Sequence, residues 1–115
     1  NEPAQTLQQR VAALVEQAAA LTGEKLAIAP EEILVNDSYC AAGYGVLQPT
    51  EIEAIRSFAR ADGILLDPVY TGRAAAGLID LIRPGLFRRD ETVLFWHTGG
   101  TPALFAEPYA GLLGA

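Results

Sequence analysis

A turn with two glycines late in the chain has residue types suited to binding a ligand. Thr98–Thr101 follows an apolar run at residues 92–96 and precedes Pro102, a residue favoured in the first turn of a helix. The backbone N–H groups of such a turn, together with a helix amino terminus, can hold an anion. The same residues would also serve as a plain strand-to-helix connection in which Thr101 caps the helix. The local sequence favours neither interpretation over the other.

Two tyrosines lie where an aromatic ring has no apolar stripe to join. Tyr44 stands between two glycines in a loop, and aromatic rings in such loops often project into a cleft. Tyr70 lies at the start of a predicted helix, where its phenol would need a hydrogen-bond partner if it were buried. Packing within a turn or core would also explain either ring. Asp67 is expected to cap its own bend through backbone N–H groups, and we assign it no chemistry.

The remaining reactive side chains offer little chemistry. His97 is the one histidine, and its place at the end of an apolar run favours a hydrogen-bonded packing role over catalysis. Cys40 is the one cysteine. It cannot form an internal disulfide, which fits a reducing cytoplasm, and an inert thiol is favoured over a nucleophile. With so few ligands, no metal site is predicted. Lys25 is the one lysine.

Apolar residues at helical spacing predict three main helices that would position these side chains. The first spans residues 4–22 and ends at Gly23. The second begins at Thr50, which has the capping-box spacing to a glutamate three residues later, and ends at Asp62-Gly63. The third begins at Thr71 and has its apolar positions at Ala74, Leu78, Leu81 and Ile82.

Three short apolar runs, at residues 33–35, 64–66 and 92–96, are predicted to be strands between these helices. Helices that alternate with apolar strands indicate an α/β fold with a parallel sheet. Because three strands make a thin sheet for this many helices, the chain is expected to complete a larger sheet formed by other residues. Residues 1–115 are then one segment without a separate domain boundary.

Composition and charge limit the class of protein. Half of the residues are apolar and 19% are charged, which excludes a disordered tail. The net charge of −6 argues against nucleic acid or an anionic membrane as partner. No apolar run reaches the ~18 residues that span a bilayer, and no signal peptide is recognisable. The chain contains no methionine, so we expect it to be a fragment, a processed product or a trimmed form.

Five segments of the chain follow one another in a specific pattern. They are Gly43–Val46, Glu53–Ile55, Asp62–Arg73, Ala76–Asp80 and His97–Ala106. In this order the segments resemble the D-cysteine desulfhydrases and the related 1-aminocyclopropane-1-carboxylate deaminases. These are pyridoxal-phosphate enzymes with the tryptophan-synthase-β fold. The resemblance is in register from about residue 43 to residue 106 and looser from residue 5 to residue 40.

The resemblance implies a fold and a set of site residues. The chain would be the C-terminal part of a three-layer, mostly parallel-sheet cofactor domain. Tyr44 and Tyr70 would line the active site and assist proton transfers on the substrate, with Tyr70 also near the cofactor ring. Thr98 would donate a hydrogen bond to the pyridine nitrogen, and Gly99 would be a further cofactor contact. Threonine at position 98 and Thr71 after Tyr70 favour the desulfhydrases over the deaminases.

The implied activity is the conversion of D-cysteine to pyruvate, ammonia and sulfide in the cytoplasm. The alternatives are ring-opening deamination of 1-aminocyclopropane-1-carboxylate and a non-catalytic binding module of the same fold. The family's Schiff-base lysine and phosphate loop precede the matched region, and Lys25 matches neither. The chain alone is therefore expected to be inactive with pyridoxal 5′-phosphate. A missing amino-terminal half or a second polypeptide would complete the enzyme, which would be a homodimer acting on a small amino acid.

Overall fold

The computed structural model describes residues 2–40 and 42–114. These residues separate into two compact units, which we call the amino unit (residues 2–40) and the carboxyl unit (residues 42–114). The described residues contain three α-helices and two 3₁₀ turns. The helices are α1 (Ala4–Thr22), α2 (Pro49–Asp62) and α3 (Thr71–Ile82), and the 3₁₀ turns are Pro30–Glu32 and Thr101–Phe105.

The amino unit consists of α1 and a return segment. Helix α1 has the bounds predicted from sequence, because Gly23 adopts a left-handed conformation with φ of 78° that stops the helix. The chain then returns along the helix, and the Gln8 side-chain amide donates a hydrogen bond of 2.8 Å to the Ile33 carbonyl. The return segment also contains the 3₁₀ turn, in which Glu32 accepts a hydrogen bond from the Ala29 N–H at 2.9 Å.

The carboxyl unit is built on the packing of α2 against α3. Small residues allow the two helices to approach closely: a Cβ atom added at Gly72 would lie 2.8 Å from the Ile55 side chain. Leu66, from the segment after α2, and Leu104, from the second 3₁₀ turn, join the core at this contact. The buried core of the unit consists of Ala54, Ile55, Leu66, Ala75, Ala76 and Leu104.

The ends and faces of α2 and α3 differ in detail from the sequence prediction. Gln48, not Thr50, precedes the first turn of α2, and the Glu51 side chain accepts the Gln48 N–H in the capping box. On α3 the buried face contains Ala75 and its neighbours, whereas Ala74, predicted to face inward, is exposed. The small residues of α3 thus face α2. The apolar face predicted from sequence is turned around the helix axis relative to the face that contacts α2.

The predicted α/β fold with a parallel sheet is wrong, and so is the three-layer sheet domain that the resemblance implied. Residues 2–40 and 42–114 are helical and contain no strand. A strand requires a neighbouring backbone to pair with, and short apolar runs indicate burial without specifying that partner. The Leu65 carbonyl, which a sheet would pair with another backbone, instead accepts hydrogen bonds from the His97 ring and the Thr101 hydroxyl.

Burial differs from expectation in two of the three predicted strands, whereas Leu66 in the run at residues 64–66 is fully buried. Leu34, at the centre of the run at residues 33–35, is 95% exposed. In the run at residues 92–96, Trp96 is 78% exposed, and Phe95 packs against Phe58 with the ring centroids 5.6 Å apart. No helix among the described residues is both long and apolar enough to cross a membrane.

Candidate functional site

Two phenols from separate segments of the carboxyl unit meet at its surface. The hydroxyl oxygens of Tyr44 and Tyr70 lie 3.2 Å apart, within hydrogen-bond distance, with either as donor. The rings meet edge to face, with centroids 6.1 Å apart and planes inclined by 71°. Tyr44 is 77% exposed and Tyr70 61% exposed. The pair therefore presents two hydroxyl groups to solvent, within reach of a ligand.

Asp67 holds the backbone that carries Tyr70. Its side chain is buried, and one carboxylate oxygen accepts hydrogen bonds from the N–H groups of Val69 and Tyr70 at 2.8 and 2.7 Å. The other oxygen accepts the N–H of Thr71 at 2.7 Å and the Thr71 hydroxyl at 2.6 Å. Asp67 thus caps its own bend, as predicted, and supplies acceptors at the amino end of α3.

The hydrogen bonds to Asp67 also affect its ionisation. Burial alone would raise the pKa of Asp67, but the hydrogen bonds from Thr71, Tyr70 and Val69 favour the carboxylate and outweigh burial. The pKa of Asp67 is therefore lower than its ordinary value of 3.8. At neutral pH the bend therefore contains a negatively charged carboxylate that accepts a hydrogen bond from the Tyr70 N–H.

The ionisation of Tyr70 depends on both neighbours. The hydrogen bond with Tyr44 is the largest cause that raises the pKa of Tyr70 above its ordinary value of 10.0. The charge interaction with Tyr44, desolvation and the negative charge of Asp67 raise the pKa of Tyr70 further. Tyr70 therefore retains its proton at neutral pH and can act as a hydrogen-bond donor.

The loop at residues 42–48, which we call the Tyr44 loop, is held by side chains from other parts of the carboxyl unit. One terminal nitrogen of the Arg73 guanidinium donates to the carbonyls of Gly43 and Val46, at 3.2 and 3.0 Å. The Tyr109 hydroxyl donates to the Gly45 carbonyl between them. Carbonyls on both sides of Tyr44 are thus fixed from outside the loop.

A buried ion pair connects the Tyr44 loop to both helices. The Nε atom of Arg73, on α3, donates to a carboxylate oxygen of Glu51 on α2 at 2.6 Å. Glu51 is only 2% exposed, and its second oxygen accepts the Gln48 N–H at 2.6 Å. Each charged group therefore has its partners, as a buried ion pair requires.

The turn at Thr98–Thr101, which we call the glycine turn, packs onto the bend that Asp67 caps and that carries Tyr70. A Cβ atom added at Gly100 would lie 2.8 Å from the Cβ and Cγ atoms of Asp67, so the turn contacts the aspartate closely. Thr101 does not cap the following 3₁₀ turn as predicted: Gly100 takes that position, and the Thr101 hydroxyl donates to the Leu65 carbonyl at 3.1 Å. Asp67 is therefore a shared support for Tyr70 and for the glycine turn.

His97 has a structural role in this turn. The Gly99 N–H donates to its Nδ1 atom at 3.0 Å. The Nε2 atom lies 3.1 Å from the Leu65 carbonyl, so the tautomer with hydrogen on Nε2 satisfies both contacts. His97 is therefore hydrogen-bonded, as predicted, but its side chain is exposed and not packed at the end of a buried strand.

Thr98 and Gly99 lie on the outer side of the turn. Thr98 is exposed, and within residues 42–114 no hydrogen bond joins it to either phenol. A Cβ atom added at Gly99 would meet no heavy atom within 4 Å, so the space beside the turn is open. The structure thus brings the two tyrosines into contact and leaves the Thr98 hydroxyl accessible on a turn supported by the same aspartate.

Sequence reasoning missed three residues that build this site: Glu51, Arg73 and Tyr109. A signal for Glu51 exists, because it precedes Ala54 and Ile55 by three and four residues and so shares their inward face on α2. A charged residue on such a face requires a buried partner. The sequence does not indicate which cation this partner would be.

A comparison with protein-family models finds none that matches this chain.

Proposed function

We propose that this chain contributes to the active site of a pyridoxal-phosphate-dependent lyase that eliminates a β-substituent from a small amino acid, with D-cysteine as the preferred substrate. The observation that carries the proposal is the contact between the hydroxyl groups of Tyr44 and Tyr70 at 3.2 Å. Two catalytic phenols of one site must converge although 26 residues separate them in sequence.

The accessible groups fit the chemistry of pyridoxal 5′-phosphate. Thr98 has an exposed hydroxyl, which would donate a hydrogen bond to the pyridine nitrogen without transferring a full proton to it. The space directly beside Gly99 is open, with no heavy atom within 4 Å of an added Cβ atom. Tyr70 offers an aromatic face as well as its hydroxyl. The cofactor, when bound, withdraws electrons from the α-carbon of the amino acid and so makes its proton removable.

The phenol pair would manage protons on the substrate. Tyr70 is protonated at neutral pH, since its pKa lies above the ordinary value of 10.0, raised chiefly by the hydrogen bond with Tyr44. It can therefore donate a proton to a departing sulfur atom, and Tyr44 can return a proton to Tyr70 across their hydrogen bond. The solvent-exposed Tyr44 then regains a proton from water, so that the pair ends fully protonated. Neither step needs a rearrangement of the pair.

The proposal predicts a specific loss of activity when one phenol is removed. The natural polypeptide that contains this chain, supplied with pyridoxal 5′-phosphate, is expected to release pyruvate and sulfide from D-cysteine. Tyr70→Phe should lower kcat by about 100-fold, the usual contribution of one acid–base group. Arg83→Lys, which alters an exposed ion pair with Glu53 in the same unit, is the control and should leave kcat unchanged.

The assay also separates the alternatives. Release of 2-oxobutanoate from 1-aminocyclopropane-1-carboxylate in place of pyruvate would identify a deaminase. Absence of any cofactor-dependent product would contradict the proposal and favour a binding module. The 115-residue chain by itself is expected to show no turnover, because Lys25, its one lysine, lies outside the matched motifs.

A further inference from the structure

The Tyr44–Tyr70 contact depends on groups that are not themselves exposed to a ligand. Tyr70 is fixed through its backbone N–H by Asp67 at the start of α3. Tyr44 lies in a loop between glycines with φ of 98° and 71°, conformations that glycine adopts without strain. Such a loop has many accessible conformations, so something outside it must select the one that brings the phenols together.

The Arg73 guanidinium is the group best placed to make this selection. It donates to Gly43 and Val46, one residue before and two residues after Tyr44, and to the buried carboxylate of Glu51. Arg73 is three residues after Tyr70 on the same chain segment. One side chain therefore ties the loop of the first phenol to the helix that begins at the second.

Only an arginine can make these three contacts at once. The Nε atom points to Glu51 while a terminal nitrogen reaches both loop carbonyls, an arrangement that uses the planar fork of the guanidinium. A lysine ammonium is a single compact donor on a flexible stem and would pair with the carboxylate while leaving one or both carbonyls unbound. Lysine would thus preserve the charge pair and release the loop.

We propose that Arg73 is a positioning residue, which, oriented by Glu51, holds the Tyr44 hydroxyl against the Tyr70 hydroxyl. The catalytic meaning of this inference rests on the proposed function, because only that function gives the phenols a substrate. The positioning itself is a property of the chain alone. It can be measured without cofactor or substrate.

The first test follows the ionisation of each tyrosine in the 115-residue chain. Carbon-13 labelling at the tyrosine Cζ atoms gives a separate NMR titration for each of the four residues. Tyr44→Phe defines the pKa of Tyr70 without its partner, which is expected to fall toward 10.0. Arg73→Lys should shift the pKa of Tyr70 in the same direction, although both tyrosines are still present.

Arg83→Lys is the matched control. Arg83, which follows the last residue of α3, also contacts α2, through a 2.6 Å contact with Glu53, but this pair is exposed and the loop carbonyls of Gly43 and Val46 are bound by Arg73 instead. The pKa of Tyr70 should be the same in this variant as in the wild type. A pKa of Tyr70 that stays at the wild-type value in Arg73→Lys would overturn the proposal.

A second variant covers the case in which Arg73→Lys fails to fold. The double variant Glu51→Gln with Arg73→Met removes both buried charges together, so neither is left unpaired, and glutamine can still serve the capping box. Circular dichroism should show the helical content retained, and the pKa of Tyr70 should again fall. A folded double variant with the wild-type pKa for Tyr70 would equally overturn the proposal.

The activity assay distinguishes this inference from the proposed function. If the natural polypeptide is a desulfhydrase, Arg73→Lys should lower kcat about as much as Tyr44→Phe, with a smaller change in KM. An active enzyme whose kcat is unaffected by Arg73→Lys would contradict the positioning role. If no desulfhydrase activity exists, the proposed function fails, and the titration of Tyr70 still decides whether Arg73 positions the phenols.

Discussion

At the scale of single residues, Asp67 is the group on which most of the site depends. Its carboxylate accepts hydrogen bonds from the N–H groups of Val69, Tyr70 and Thr71, and Gly100 packs directly against it. Hydrogen bonds to an ionised acceptor contribute more to stability than bonds between neutral groups. Replacing Asp67 should therefore lower the free energy of unfolding by more than the small size of this side chain suggests.

Replacing Asp67 by asparagine tests this dependence through pH. The pKa of Asp67 is lowered in the folded state, so its carboxylate stabilises the fold above pH 3.8 and this contribution is lost as the pH falls through the folded-state pKa. Asp67→Asn should lower the free energy of unfolding by about 2 kcal/mol at neutral pH. The difference in free energy of unfolding between this variant and the wild type should become smaller below pH 3.8. Urea unfolding across this range measures it.

The control for this experiment is Asp90→Asn. Asp90 is an exposed partner of Arg88, and such surface pairs contribute roughly 0–1 kcal/mol. Its effect on stability should be small at every pH. An Asp67→Asn variant as stable as Asp90→Asn at neutral pH would show that the bend does not depend on the carboxylate.

The residues of the site differ in how far sequence reveals them. The capping role of Asp67 could be predicted, because it follows from immediate neighbours in the chain. The structure brings Tyr44 and Tyr70 together, and their catalytic roles stay predictions. The ion pair of Glu51 and Arg73 could not, since its members are 22 residues apart and meet only after α2 packs on α3. Local sequence indicates what a side chain can do, and packing determines which partner it finds.

At the scale of elements, the same distinction separates the helices from the predicted strands. Helix α1 was predicted with its observed bounds because its end is set locally by Gly23. The cap of α2 was placed two residues late, at Thr50 instead of Gln48, because threonine is a more common cap than glutamine. The strands were wrong because their pairing is not local.

The glycine turn allows an element-scale prediction with a built-in control. Gly99 and Gly100 have φ of 97° and 90°, so alanine at either position is strained by about 1–2 kcal/mol. Only at Gly100 would the added carbon also collide with Asp67, at 2.8 Å. Gly100→Ala should therefore be less stable than Gly99→Ala by at least about 1 kcal/mol. Thermal or urea unfolding of both variants measures the difference.

The outcome has a clear meaning for the site. A larger loss at Gly100 would show that the turn bearing Thr98 is seated on Asp67 and so shares a support with Tyr70. Equal losses in the two variants would mean that the turn can move away from Asp67 freely. In that case Thr98 and the phenols would have no common anchor.

At the scale of the whole molecule, the described residues form two helical units, and large apolar side chains remain exposed on the carboxyl unit. Leu94, Trp96 and Phe105 are each well over half exposed, although residues 92–96 have the composition of a buried strand. Phe95 alone of that run is packed against the core, beside Phe58. Most of the apolar residues at 92–96 are therefore not buried by other parts of the carboxyl unit.

Trp96 makes this arrangement measurable, because it is the single tryptophan of the chain. Since its side chain is 78% exposed, its fluorescence emission should lie close to that of the urea-unfolded chain. Acrylamide should quench the native and unfolded states to a similar extent. The measurement requires a concentration at which sedimentation shows a monomer, because self-association would cover the ring. Blue-shifted and protected emission from the monomer would mean that residues 92–96 are buried, as a strand in a packed sheet would be, and would contradict the helical fold described above.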